Sequence, residues 1–89
     1  MKLHLQIADI NERVEVRDAD EALKRFKSEA TKRAPLLLRA VVKGMSDLFF
    51  AGEAVKRANA QSGRDDAAPR SAQEFLDWAV ERGYVTIEA

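Results

Sequence analysis

Cysteine is absent from this chain of 89 residues. A disulfide framework and any thiolate metal site are therefore excluded, and the composition fits a reducing compartment. Histidine occurs once, at His4, and a lone imidazole with no second His or Cys nearby does not make a zinc site. Glycine occurs four times and in no Gly-rich loop after a strand, so neither a P-loop nor a dinucleotide fingerprint is present. Excess charge of either sign is missing too, with 15 Lys/Arg against 15 Asp/Glu. A nucleic-acid binder usually concentrates basic residues on one face. Here residues 1–60 carry 12 Lys/Arg against 9 Asp/Glu, and residues 61–89 carry 3 against 6. The longest apolar stretch, APLLLRAVVKGMSDLFFAG over 34–52, is interrupted by Arg39, Lys43, Ser46 and Asp47, short of the roughly 20 residues a membrane span needs. The first residues, MKLHLQIADINER, are too polar for a secretory signal. These absences lead us to expect a cytoplasmic protein.

What is present reads as one small α+β domain over 1–89. Residues 2–7, KLHLQI, alternate apolar and polar, as do 13–17, RVEVR. Joined by the polar ADINE, they predict a β-hairpin with one wet face. Asp18 or Asp20 offers an N-cap for a helix over 19–33, with Ala22, Leu23, Phe26 and Ala30 at helical spacing. Asp20–Lys24, Glu21–Arg25 and Glu29–Arg33 are i,i+4 pairs in the favourable order, which argues against a free basic patch on that helix. Residues 60–70, AQSGRDDAAPR, predict a flexible loop. Ser71 to Glu74 spells a capping box opening a helix that Gly83 stops, and YVTIE over 84–88 alternates as a closing strand. That strand should join the hairpin.

Residues 36–58 sort well at 3.6 residues per turn. Leu38, Val41, Val42, Met45, Leu48 and Phe49 form a large apolar arc, expected to be core. Ala40, Gly44, Ala51, Ala54 and Ala58 form a small-residue arc. Arg39, Lys43, Ser46, Glu53 and Arg57 form a charged arc that carries Phe50. Gly44 and Ser46 together suggest a helix end and a new cap, hence a bend. The order is then ββαααβ, a small antiparallel sheet with about three helices on one face. The rival drawing makes 36–42 and 48–52 a hairpin and gives a βαββαβ ferredoxin-like order.

Chemistry is thin. The four serines lie in no nucleophile motif, and Asp65–Asp66, the one carboxylate pair worth weighing, falls in the expected loop. Neither a catalytic residue nor a cofactor or metal is expected. Ala40, Gly44 and Met45 have helix-turn-helix spacing, but the following SDLFFAG is acidic and aromatic where a reading helix needs donors. The expected function is thus a small non-enzymatic binding or adaptor protein, using a helical surface for a protein partner or for self-association as a homodimer. Its candidate residues are Phe50, Arg39, Lys43, Arg57, Ala40, Gly44, Ala51 and Ala54. The alternative is a nucleic-acid-binding accessory protein that uses the basic N-terminal two-thirds.

Overall fold

The computed structural model describes residues 1–7 and 10–88. Its elements are β1 (Lys2–Ile7), β2 (Ile10–Glu15), α1 (Ala19–Arg33), α2 (Leu36–Gly44), α3 (Asp47–Ser62), α4 (Ala72–Glu81) and β3 (Val85–Glu88). The sheet is antiparallel in the order β2-β1-β3. The chain is therefore a small α+β domain of the expected order, with the middle helix divided in two. Residues 36–42 are helical, so the ferredoxin-like drawing is excluded. The second strand starts earlier than its alternation suggested, at Ile10. Of the expected hairpin connection, Ala8 and Asp9 lie outside the described residues.

Register follows from burial. Leu3 faces Val14 on one side and Ile87 on the other, and Leu5 faces Val85. Leu3, Leu5, Val14, Val16 and Val85 are buried beneath the helices, while Ile87 at the sheet edge stays half exposed. A one-residue slip would turn this whole row to solvent, which is why the alternation specifies the pairing so firmly. The helices contribute Ala22, Leu23 and Phe26 from α1, and Phe75, Leu76 and Ala79 from α4. Phe26 meets Phe75 edge to face at 5.2 Å, and the aromatic line continues through Trp78 to Tyr84.

The helix ends have local causes. Asp18 caps α1 by accepting from the Glu21 N–H at 2.9 Å, and Ser71 caps α4 by accepting from the Glu74 N–H at 3.1 Å. The expected capping box at Ser71 is reached differently. The Glu74 carboxylate accepts from the Arg70 N–H, one residue before the cap. Gly63 and Gly83 stop α3 and α4 at φ 72° and 81°, a conformation a side chain resists. Gly44 is not used this way. It ends α2 inside the helix, and the break is made by extended backbone at Met45 (φ −74°, ψ 144°) followed by the Ser46 cap on the Phe49 N–H.

Candidate functional site

That break changes which side chains are buried. Faces drawn for one continuous helix over 36–58 do not survive the turn at Met45, because α3 leaves in a new direction. The expected core arc is largely outside. Leu38, Val41, Leu48 and Phe49 are exposed, and only Val42 and Met45 lie partly against the core. Phe50, expected on the charged arc, is 9% exposed, Ala51 is fully buried and Val55 nearly so. As partner-surface candidates, Phe50 and Ala51 are thus corrected to core residues, and Ala54 is partly buried against the same cluster. Arg39, Ala40, Lys43, Gly44 and Arg57 are exposed. A signal for the buried face was present: Phe50–Ala54, Ala51–Val55 and Ala51–Ala58 are i,i+4 and i,i+7 pairs that belong to α3 taken alone.

The outcome is an uncovered apolar face. No residue of α2 is buried. Leu37 is 90% exposed, with Leu36, Leu38 and Val41 also open, and α3 adds Leu48 and Phe49, the latter 57% exposed. Together the six expose on the order of 600 Å² of apolar surface, about the largest patch a soluble monomer normally carries. Beside it, Leu48, Phe49, Gly52 and Lys56 line a groove of 470 Å³, walled across by Ala68 and Pro69. Gly52 keeps that groove open, since a Cβ there would lie 4.0 Å from the Cβ of Ala68.

The far wall is held rigidly by one carboxylate. Asp66 accepts from the Trp78 indole N–H at 2.9 Å and from Arg82 at 3.0 and 2.6 Å. Its backbone exchanges two further hydrogen bonds with the Asn59 amide. Arg82 first, and then Trp78, hold the Asp66 carboxyl below the usual carboxylate range. The expected flexible loop is therefore anchored at its centre. Asp66 has its oxygens committed to donors rather than open to a metal or substrate. Among the described residues, no three His, Asp or Glu side chains gather as a metal site.

A second groove, of 520 Å³, lies between α1 and α2. Lys24, Lys27, Ser28, Thr31 and Lys32 line one side, and Arg39, Lys43 and Asp47 the other. The ion pairing along α1 differs from the i,i+4 reading. Only Glu29–Arg33 forms as expected, at 2.7 Å, with Lys32 also on Glu29. Glu21 turns back to Arg17 at 2.8 Å, so Lys24 and Arg25 have no ion pair among the described residues. Glu29 is 2% exposed, and Arg33 holds its carboxyl below the ordinary range against the opposing effect of burial. Arg39 reaches back over the end of α1 to the carbonyls of Ala34 and Lys32, where helix carbonyls lack partners. Lys27 donates to the Met45 carbonyl and lies 3.4 Å from Asp47, fastening α1 to the α2–α3 junction.

No protein-family model, curated protein or solved structure matches the chain. No helix among the described residues is long and apolar enough to cross a membrane.

Proposed function

We propose that this is a small non-enzymatic protein-interaction domain whose α2–α3 apolar face docks a second copy of the same chain. The observation that carries the reading is α2 itself, a nine-residue helix with no buried side chain. Isolated helices shorter than about 12 residues are marginal in water, so α2 gains most from whatever covers it. A second copy fits on area and on charge. The exposed apolar surface, on the order of 600 Å², approaches the roughly 800 Å² per partner of a standard interface before any polar rim is counted. Both signs of charge border it, through Lys56 and Glu53 on α3. The chain is neutral, so two copies meet without net repulsion. A two-fold arrangement would set each Leu37–Val41 ridge against the partner's and bring Phe49 to its centre, where aromatic anchors carry most of the binding energy.

Light scattering coupled to size-exclusion chromatography, from about 1 μM to 500 μM, tests this. The expected result is a rise to dimer mass for the wild type, lost in Leu37→Asp and Phe49→Asp with unchanged far-UV circular dichroism. A wild type that keeps monomer mass throughout the range overturns the reading. Phe50 is no probe of this face, because it lies in the core, where Phe50→Glu would bury a charge.

A further inference from the structure

The chain is neutral, yet five of its 15 Lys/Arg side chains line the single groove between α1 and α2, against one carboxylate, Asp47. That concentration was masked in the sequence because Lys24 and Lys32 of α1 each have an acid three or four residues away. Asp47 is engaged by Lys27, and Glu29 lies between Lys32 and Arg33. Lys24 and Lys43 have no carboxylate partner among the described residues, and Arg39 meets only backbone carbonyls. Three cations thus face one concavity without a local counter-charge. Arg39, fastened at two points, needs little ordering before it binds an anion.

We propose that this groove is a binding site for phosphoryl groups. Ser28 and Thr31 line the same groove as the cations. Thr31 spends its one hydroxyl hydrogen on the Lys27 carbonyl, so Ser28 is the groove hydroxyl left to donate to a phosphate oxygen. The α1 wall from Lys24 to Lys32 spans about 12 Å, enough for more than one phosphoryl group in a row. No aromatic side chain lines the groove, so a base would find nothing to stack on. Recognition therefore falls on the phosphates, whether they belong to a nucleic-acid backbone or to a free polyphosphate. The site lies on the other side of α2 from the Leu37–Val41 ridge of the dimer face, with Leu36 at the border between them. At 100° per residue, Arg39 and Lys43 lie across α2 from Leu37 and Val41.

The test is amide NMR of the full chain at about 50 mM salt, titrated with tripolyphosphate in one arm and a single-stranded ten-nucleotide oligomer in the other. Shifts confined to residues 24–32 and 39–43 are expected. The double variant Lys24→Glu/Lys43→Glu should weaken binding at least roughly tenfold, and Arg57→Glu/Arg64→Glu, an equal charge change elsewhere, should leave it unchanged. Comparable affinity for both ligands assigns the site to free polyphosphate. A tighter oligomer with a steep salt dependence assigns it to a nucleic-acid backbone. Silence from both ligands at millimolar concentration, or equal losses in the two double variants, overturns the site. Repeating the titration on Phe49→Asp separates it from self-association.

Discussion

Phe49 and Phe50 are neighbours in the chain with opposite environments. Phe50 packs with Ala51 and Val55 in the core, and Phe49 stands in solvent. Phe50→Ala should cost about 3–5 kcal/mol in urea unfolding, whereas Phe49→Ala should change a dilute sample by less than about 1 kcal/mol. Residue type alone could not separate the two, because the helix phase that distinguishes them is set by the break at Met45. Two carboxylates give a second test at this scale. Glu29 and Asp66 both titrate below their unfolded values. As pH falls, the unfolded chain takes up protons first, so the stability these groups supply is full above the ordinary carboxylate range and drains away beneath it. Thermal melts from about pH 6 to pH 2 should therefore show a steep acid limb, flattened in Glu29→Gln and in Asp66→Asn. At neutral pH, Glu29→Gln should cost about 1–3 kcal/mol, because Arg33 and Lys32 lose a buried anion.

Elements were more legible than the faces they present. Strand alternation, the Asp18 and Ser71 caps and the Gly83 stop all stand as local chemistry, and local chemistry sufficed to place them. Ser71→Ala should cost about 1 kcal/mol, read as a lower urea midpoint at constant slope. Gly44 shows where local reading went astray. It lacks a positive φ, and a Cβ there meets nothing within 4 Å. Gly44→Ala should therefore stabilise by about 0.5–1 kcal/mol, through a less flexible unfolded chain and a better helix former. A loss of stability instead would mean that the α2–α3 turn depends on glycine after all. Pairings were the least legible layer. An acid four residues from a lysine is only an opportunity, and Glu21 takes Arg17 in place of Arg25.

For the whole molecule, the sheet and three of its helices form one core, and α2 rides outside it. The architecture could be anticipated because strands and helices each needed one covered side. Which side of 36–52 would be covered could not, since that depends on the relative orientation of two helices. Self-association couples this arrangement to concentration. The melting temperature should rise between about 5 μM and 500 μM for the wild type and stay level for Leu37→Asp. Amide exchange should show α2 as the least protected helix in dilute solution and should slow there as concentration increases.

Trp78 is the chain's sole tryptophan, and its indole N–H is spent on Asp66. The molecule thus carries an optical gauge at Asp66, where the loop before α4 is pinned. Indole emission depends on that hydrogen bond and on the neighbouring ring of Tyr84, 5.3 Å away and the sole tyrosine. Undocking of the loop would be visible as a colour change in a chain whose far-UV spectrum had not altered. Occupancy of the groove that the loop walls could be followed by light, with no label attached.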